Sequence, residues 1–417
     1  MKNKFTAGVL AGCLSTLLIC SIVFSVFFIN YRLDLQKNDN VPNSQTQELI
    51  GTQGLENNEK ENKLANKMEY IKGLISKYFL YDVKEQDYDD AILKGMMEAL
   101  DDPYSTYYTV EEYEELNEKI DGTYYGIGAY VGQDRETLVM TITKPFPNGP
   151  AATAGVLPGD IIYKVDDLDV TGMDISSVVA KMKGEKGTVV KLTVLRGDTR
   201  EELSFDITRN EIEVPTVEYQ MLEDKIGYIY VAQFDKVTVD QFIHAVNDLE
   251  KQNMKGLIID IRDNGGGLYT ACISMLDRII GKGLVVYTET KDGTKEEEYA
   301  KTAEALDKPL VVLVNGNSAS ASEIFAGAIQ DYEIGKVVGT QTFGKGIVQS
   351  VIPLYDGSAV KITISNYFTP NGRSIHKVGI TPDVVVELDD SLTGLITMEQ
   401  DNQLHTAIDE LKKMINE

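Results

Sequence analysis

Residues 310–330 read LVVLVNGNSASASEIFAGAIQ. The apolar residues 310–314 predict a buried strand, and the apolar spacing after the following polar turn predicts a helix from near Ser322. Ser318, Ser320 and Ser322 would then lie at a helix N-terminus, where partial positive charge stabilises anions. Such a position suits a nucleophile, although serines before a helix are also ordinary capping residues. The segment alone leaves both interpretations, and all three serines, open.

The same alternation of strand and helix runs through the second half of the chain. Short apolar segments are strand candidates, and amphipathic segments lie between them and at the end of the chain. This alternation predicts a layered α/β domain. The further strands are predicted at residues 226–231, 256–261 and 337–338, and the helices at 239–251, 269–280, 322–330 and 402–415.

Two glycine-rich segments carry the remaining candidate chemistry. Lys345 stands between two glycines in TFGKG, residues 342–346, and burial there would lower its pKa so that the neutral amine could accept a proton. The run DNGGG, residues 263–267, offers backbone N–H groups that could stabilise an oxyanion. Each segment also has an ordinary interpretation, as a solvated lysine or as a loop that needs positive φ. With only three histidines in the chain, a Ser–Lys pair would allow serine protease chemistry without a histidine base.

Composition excludes some partners and chemistries. The chain has 417 residues and a formal net charge of −25, which repels phosphate backbones and disfavours nucleic acid as a partner. Cys272 is the one cysteine after the N-terminal apolar run, so no disulfide is predicted within the soluble part. We interpret Cys272 as a small buried apolar residue in preference to a catalytic thiol.

The N-terminus carries an apolar segment. Residues 5–29 contain no charged side chain, and this segment is long enough for a helix that crosses a bilayer. Because Lys2 and Lys4 precede it, the positive-inside rule places everything after Asn30 outside the cytosol. A cleaved signal peptide and a lipoprotein cleavage site at Cys13 are the alternatives, but the apolar run continues past both expected cleavage points. We therefore predict a cytosolic stub and an uncleaved anchor at residues 1–32.

Between the anchor and the α/β domain, the pattern changes twice. Residues 33–62 are rich in Asn, Gln, Glu and Lys and predict a flexible tether. Residues 63–120 show helical periodicity, including a helix from Val110 that Thr109 would cap. Residues 121–210 show short strands and turns and predict one small β-rich domain. The α/β core is then assigned to residues 211–390, followed by a C-terminal helical tail at 391–417.

The soluble part as a whole resembles the C-terminal processing proteases, serine peptidases with a PDZ domain before a crotonase-like α/β core. Several ordered blocks agree with that family, and together they make the resemblance specific. The predicted fold class is therefore a multidomain α/β protein with an N-terminal transmembrane helix, a helical segment, a PDZ-like domain and a protease core. The blocks are residues 100–105, 150–160, 260–267, 318–327, 339–349 and 367–375.

The resemblance also assigns roles to residues. It implies that Ser320 is the nucleophile, that Lys345 is its general base and that Gln349 orients the lysine. The N–H groups of Gly266 and Ala321 would form the oxyanion hole. In the PDZ domain, a loop that binds the terminal carboxylate of a peptide would consist of Gly126, Ile127, Gly128 and Ala129. Lys183 stands where relatives commonly carry arginine, so its coupling of the PDZ domain to the protease is a candidate role.

The expected function is that of a membrane-anchored serine endopeptidase which cuts proteins at or near their C-terminal tails. We expect no metal or cofactor to take part in this reaction. The alternatives are an inactive PDZ scaffold that only binds protein C-termini and an acyl-CoA enzyme of the crotonase fold. Because relatives often assemble through their terminal helices, the resemblance also implies that the helices at residues 68–79 and 402–415 are candidate contacts in a homo-oligomer.

Overall fold

The structure, a computed structural model, describes residues 52–302, 305–389, 391 and 396–416. Its first element, helix α1 (Thr52–Tyr78), begins inside the predicted tether. The tether prediction is wrong from Thr52 onward, because Glu, Lys, Gln and Leu favour a helix even where few apolar groups can be buried. The predicted anchor at residues 5–29 lies outside the described residues. Of the helices that the structure describes, none has the length and apolar character to span a bilayer.

Glu85–Glu417 form a separate unit that begins with helix α2 (Glu85–Glu98), strand β1 (Thr106–Tyr108) and helix α3 (Val110–Asp121). The start of α3 is confirmed. The Thr109 hydroxyl accepts from the Glu112 N–H at 3.2 Å, and the Glu112 carboxylate accepts from the Thr109 N–H at 3.0 Å. This reciprocal capping box satisfies two N–H groups and fixes the first turn of α3.

The β-rich domain predicted at residues 121–210 consists of short strands and two helices: β2 (Thr123–Gly126), β3 (Ala129–Gln133), β4 (Met140–Pro145), α4 (Pro150–Ala154), β5 (Ile161–Val165), β6 (Leu168–Asp169), α5 (Ile175–Met182), β7 (Val189–Arg196), β8 (Glu201–Thr208) and β9 (Asn210–Glu213). Its antiparallel sheet has the order β3-β4-β5-β7-β8, so β3 is an edge strand. Ile142, Val178 and Leu192 are buried in a core that belongs to this domain alone. Strands β2 and β9 form a two-stranded ribbon where the chain enters and leaves the domain.

The layered α/β domain follows, with these elements: β10 (Val217–Met221), β11 (Ile226–Val231), α6 (Lys236–Lys251), β12 (Gly256–Asp260), α7 (Tyr269–Ile280), β13 (Gly283–Thr290), β14 (Lys295–Ala300), β15 (Leu310–Val314), α8 (Ala321–Asp331), β16 (Gly335–Gly339), β17 (Ile347–Pro353), β18 (Ala359–Phe368), β19 (Val384–Val385) and α9 (Asn402–Asn416). The central sheet has the order β10-β11-β12-β15-β16-β19 and is parallel except for β10. Every residue of β12 and β15 is buried, because helices α6, α7 and α8 cover one face of the sheet and α9 covers the other.

A second, antiparallel sheet was not predicted. Its order is β1-β18-β13-β14, and β17 also pairs with β18. Apart from residues 284–287 of β13, its strands lack an uninterrupted apolar run; β14, for example, reads KEEEYA and exposes five of its six residues. Strand β1 joins this sheet through Thr106, which pairs with Lys361 of β18. This pairing brings the segment before β1 into the α/β domain.

The C-terminal helix is part of the core instead of a tail. Leu404, Ala407 and Leu411 of α9 are buried against Ile258 and Val311 of the central sheet. This apolar face is used within the chain, and an oligomer contact at residues 402–415 stays a prediction.

Candidate active site

The three serines of the 310–330 segment have different environments. Ser318 is fully buried, and its hydroxyl donates to the Ile261 carbonyl at 2.8 Å. Ser322 is also fully buried, and its hydroxyl donates to the Asn264 carbonyl at 2.8 Å. Ser320 is half-buried and lines a cavity of about 390 Å³. Of the three, Ser320 is the one whose hydroxyl is placed to meet a substrate.

The backbone at Ser320 is strained. Its φ of 57° and ψ of −114° lie in a region that residues with a Cβ seldom adopt. The residue stands at the sharp turn from β15 into α8, and the N–H groups in the first turn of a helix have no acceptor within the helix. The turn therefore presents the Ser320 side chain together with the N–H of Ala321, the first residue of α8.

The carboxylate of Glu323 holds this turn to the lysine loop. Glu323 is fully buried and accepts four hydrogen bonds. The N–H groups of Ser320 and Lys345 each donate to its Oε2 at 2.8 Å. Its Oε1 accepts from the Thr342 hydroxyl at 2.6 Å and from the Gly344 N–H at 2.7 Å. Our sequence reasoning missed this role, although the spacing Ser320-x-x-Glu323 is that of a capping box and was a usable signal.

Lys345 lines the same cavity as Ser320. The glycines on both sides of Lys345 allow a close approach of the backbone to other groups. Gly344 has a φ of +91°, and a Cβ on Gly346 would collide with the backbone of His376. Burial lowers the pKa of Lys345 below its ordinary value, and the positive charge of Lys361 lowers it further, whereas the charges of Asp102 and Glu323 oppose the shift. A lysine in this environment gives up its proton more readily than a solvated one.

Tyr367 joins the backbones of the two loops. Its ring is buried, and its hydroxyl lies 3.0 Å from the Ser320 carbonyl oxygen and also hydrogen-bonds the Lys345 carbonyl oxygen. Burial raises the pKa of Tyr367 well above its ordinary value, so the phenol keeps its proton and remains a donor. This second tie between the loops was also missed from the sequence.

Gln349 lines the cavity with Lys345, but its amide nitrogen donates elsewhere. Nε2 is 3.4 Å from both the Thr363 hydroxyl and the Ile347 carbonyl oxygen. The structure thus brings Gln349 to the expected place, and its role in orienting Lys345 stays a prediction.

The glycine-rich loop after β12 contacts the serine turn. A Cβ on Gly266 would lie 2.8 Å from the Ala319 carbonyl oxygen and 2.9 Å from the Ser320 Cβ, so only glycine fits there. The Gly266 N–H donates to the Asn264 side-chain oxygen at 2.9 Å. Gly266 and Ala321 are therefore adjacent, as expected for an oxyanion hole, but the Gly266 N–H would have to exchange this bond to serve one.

An ion-pair network holds the end of β12, just before the glycine-rich loop. Arg262 donates to Asp260 at 2.6 Å and to Asp401 at 2.7 Å, and its Nη1 donates to the Gln403 side chain at 3.0 Å. Asp260 also accepts from the Tyr228 hydroxyl at 2.8 Å. Helix α9 thereby braces the loop that contains Gly266. The sequence offered no signal for this contact, because Asp401 lies 139 residues after Arg262.

Comparison with known proteins places this site in a family. A profile for peptidase family S41 matches residues 225–386. The carboxyl-terminal-processing protease of Synechocystis sp. is 35% identical over 340 residues, which are 81% of this chain and 80% of that protein. The chain belongs to the carboxy-terminal processing protease family. It is accordingly a serine-type C-terminal processing peptidase, and the resemblance stated from the sequence is confirmed.

The chain is also similar to other known proteins. The carboxy-terminal processing protease CtpA of Bacillus subtilis is 40% identical over 303 residues, and the match covers 72% of this chain and 64% of that protein. A solved photosystem II D1 C-terminal processing protease has 31% sequence identity and a TM-score of 0.45, with 76% of this chain and 86% of that chain covered. Residues 141–196 match a PDZ domain profile, and residues 25–112 match the N-terminal domain of the activating protease CtpB.

In this S41 peptidase, the predicted carboxylate loop of the PDZ domain lies between β2 and β3. Gly126 ends β2, Gly128 has a φ of +73°, and Ala129 begins β3. Ile127 is buried, and its carbonyl accepts from the Ala151 N–H at 2.8 Å. The four residues thus form a turn beside an edge strand, and their binding of a peptide carboxylate stays a prediction.

Lys183 connects this PDZ domain to helix α3, which lines the cavity that contains Ser320. It follows α5 and forms an ion pair with Glu118 of α3, and its Nζ lies 5.3 Å from the centre of the Tyr124 ring. Leu116 and Ile120, on the same helix as Glu118, line the cavity that contains Ser320. The coupling role of Lys183 stays a prediction, and Glu118 is the partner through which it would act.

Asp235, another wall residue of the cavity, gives a prediction for stability. It is 6% exposed, and burial raises its pKa to about 6, although a hydrogen bond from Gln233 acts in the opposite direction. Because the folded-state pKa lies above the ordinary value of 3.8, the stabilisation from proton binding is present at low pH and is lost as pH rises through about 6. Relative to wild type, Asp235→Asn should therefore gain stability between pH 5 and pH 8 by about 1.4 kcal/mol, because only about one pKa unit of the shift from 3.8 to about 6 lies above pH 5.

Urea unfolding of both proteins at several pH values measures this difference. A stability difference that stays constant from pH 5 to pH 8 would show that the Asp235 carboxyl does not titrate there.

Proposed function

We propose that this chain is a membrane-anchored serine endopeptidase that uses a Ser320–Lys345 dyad to cleave proteins at or near their C-terminal tails. The observation that carries the proposal is the presence, in one cavity, of a strained serine at a helix N-terminus and a lysine whose pKa is lowered by burial. Glu323 holds the two loops through backbone N–H groups, so the relative position of these side chains is built into the fold.

The first half of the reaction forms an acyl-enzyme. Neutral Lys345 takes the proton of the Ser320 hydroxyl while Oγ attacks the carbonyl carbon of the scissile peptide bond. Negative charge then develops on the former carbonyl oxygen, where the N–H groups of Ala321 and Gly266 would stabilise it. The C–N bond breaks as the Lys345 ammonium gives its proton to the leaving amine.

The second half releases the product. Lys345, neutral again, takes a proton from water as the water oxygen attacks the ester carbon of the acyl-enzyme. Collapse of the second tetrahedral intermediate breaks the bond to Ser320 Oγ, which regains its proton from the Lys345 ammonium. Proton donor and acceptor are thus restored.

The PDZ domain would supply the substrate. A peptide tail can add as a strand along the edge strand β3, with its carboxylate at the N–H groups of the loop from Gly126 to Ala129. The Tyr124 side chain is part of this site: burial raises its pKa to about 12, whereas hydrogen bonds from the backbone of Ala129 and Gly128 oppose the shift. An incoming carboxylate would compete with the Tyr124 hydroxyl for these donors.

The anchor is the remaining part of the proposal. Residues 5–29 carry no charge and follow Lys2 and Lys4, which supports a single span with the catalytic part outside the cytosol. Substrates would then be tails of membrane or exported proteins on that side.

A serine-reactive fluorophosphonate probe tests the proposed function. The full-length protein in detergent should be labelled, and labelling should be lost in Ser320→Ala, while Ser274→Ala, which changes an exposed serine of α7, should be labelled like wild type. A peptide with a free apolar C-terminus should be cleaved faster than its C-terminally amidated form, because the amide lacks the terminal charge. Equal labelling of Ser320→Ala would contradict the assigned nucleophile, and tail binding without labelling of the wild type would indicate an inactive PDZ scaffold.

A further inference from the structure

The segment Asp102-Pro103-Tyr104-Ser105 lies against Lys345, although about 240 residues separate them in the sequence. Lys345 Nζ is 4.5 Å from the centre of the half-buried Tyr104 ring, a distance at which the ring face attracts a cation. The segment is fixed by the antiparallel pairing of β1 with β18, which follows directly after it. The pairing of β1 with β18 thus fixes the backbone that carries the Tyr104 ring.

The Asp102 carboxylate is fixed from three sides. It accepts from the Ser105 hydroxyl at 2.6 Å, from the Thr363 hydroxyl at 2.7 Å and from the Tyr104 N–H at 3.1 Å. Burial would raise the pKa of Asp102, but these hydrogen bonds and the charge of Lys345 lower it below its ordinary value, so Asp102 is an anion near neutral pH. The attraction between this anion and Lys345 is therefore present whenever the lysine is charged.

Thr363 extends this arrangement to Gln349. The Thr363 hydroxyl donates to Asp102 and lies 3.4 Å from the Gln349 amide nitrogen, and the Thr363 N–H donates to the Ser105 hydroxyl at 3.0 Å. Asp102 is thereby linked through Thr363 to the residue expected to orient the lysine, and its charge acts on the lysine itself. Nothing in the reaction described above uses this network.

We propose that Asp102 and Tyr104 are positioning residues for Lys345, which hold its Nζ and stabilise the ammonium that forms when Ser320 gives up its proton. The inference rests on the proposed Ser320–Lys345 dyad and adds two supporting residues to it. The physical reason is that a carboxylate anion attracts a neighbouring cation. Asp102 therefore stabilises Lys345 most when the lysine gains positive charge in the transition state. Lys361 acts against this stabilisation from the neighbouring strand.

The test has to separate Lys345 from the other groups that face it. These come from six parts of the fold: Asp102 and Tyr104 before β1, Lys119 of α3, Asp235 before α6, Tyr269 of α7, Glu323 of α8, and Lys361 and Tyr367 of β18. Asp235 has a pKa of about 6, so its titration could add a second pH-dependent step to a plot of kcat/KM against pH. Each profile is therefore repeated in an Asp235→Asn background, where that limb is absent.

The first measurement is kcat/KM against pH for the full-length protein. Activity should rise with pH as Lys345 loses its proton. Asp102→Asn removes an attractive charge but retains the size of the side chain, so the rising limb should move to lower pH by about half a unit or more, and kcat at the plateau should fall about tenfold or more. Lys361→Ala should move the same limb to higher pH.

Tyr104 is tested with a matched pair of variants. Tyr104→Phe keeps the ring face and should keep the profile, whereas Tyr104→Leu removes the ring face and should move the limb to lower pH with a loss in kcat. A role in folding alone would lower the amount of active protein without moving the limb, so the pH profile separates positioning from stability.

The second measurement does not need activity. In Ser320→Ala protein, the rate at which trace acetic anhydride modifies Lys345 is followed across pH by mass spectrometry, with and without Asp102→Asn. A lower pKa of Lys345 in the double variant supports the proposal, and an unchanged pKa together with an unchanged kcat/KM limb overturns it. If wild type cleaves no peptide, the proposed peptidase function of the dyad is wrong. The acetic anhydride measurement then still decides whether Asp102 changes the pKa of Lys345.

Discussion

Peptide cleavage by Lys345→Met is expected to be slower than cleavage by wild type by about 10³-fold or more. Methionine has a similar length and can fill the same partly buried space, but it cannot accept the Ser320 proton. The fold should persist, because the interaction that holds this loop uses the backbone N–H of Lys345 and not its side chain. Steady-state cleavage of a peptide with a free apolar C-terminus measures the loss, and far-ultraviolet circular dichroism checks the fold.

Two comparisons make this prediction specific. Lys345→Arg keeps a positive charge that does not deprotonate in proteins, so it should be about as inactive as the methionine variant if lysine is the base. Lys291→Met changes an exposed lysine in the turn between β13 and β14 and should cleave like wild type. Activity retained by Lys345→Arg would mean that the charge, and not proton transfer, is what the site requires.

Glu323→Gln should lose both activity and stability. Each carboxylate oxygen of Glu323 accepts two hydrogen bonds, whereas a glutamine side chain has one accepting oxygen and one donating NH₂ group. Whichever way the amide turns, at least one backbone N–H meets another donor, because of the four donors only the Thr342 hydroxyl can rotate and accept instead. This should cost about 1–3 kcal/mol of unfolding free energy. The Ser320 and Lys345 loops then separate or shift, and we expect cleavage to fall about 100-fold or more, since small misplacements of reacting groups are costly.

Urea unfolding and steady-state kinetics on the same preparations test this prediction. Glu296→Gln makes the same chemical change on the exposed strand β14 and should alter neither quantity. Glu323→Gln with wild-type stability and wild-type kcat would show that the four hydrogen bonds are not what joins the two loops.

Some elements were predictable because their apolar patterns are uninterrupted. Strands β11 and β15 have the bounds that were predicted at residues 226–231 and 310–314. Helix α7 likewise has its predicted bounds, Tyr269–Ile280. Strands buried on both faces leave no room for polar residues, so local sequence and tertiary environment agree there.

Other elements depend on partners that a local pattern cannot reveal. In the second sheet, β14 has exposed, mostly polar residues, and β1 has only three residues. Its strand character comes from pairing with β18, more than 250 residues later. The same holds for Asp102, whose carboxylate was one of many in an acidic chain until the fold placed it beside Thr363 and Lys345.

The sequence by itself determined that a strand, a turn and a helix would present serines at a helix N-terminus, and that a lysine between two glycines could approach other groups closely. The spacing left all three serines open, and only the tertiary structure shows which of their hydroxyls are already used. Ser318 and Ser322 are satisfied by the carbonyls of Ile261 and Asn264, which lie 57 and 58 residues earlier on the neighbouring strand and its loop. A hydroxyl that is buried and already donates to a carbonyl is not available to a substrate, whereas the strained turn leaves Ser320 facing the cavity with Lys345.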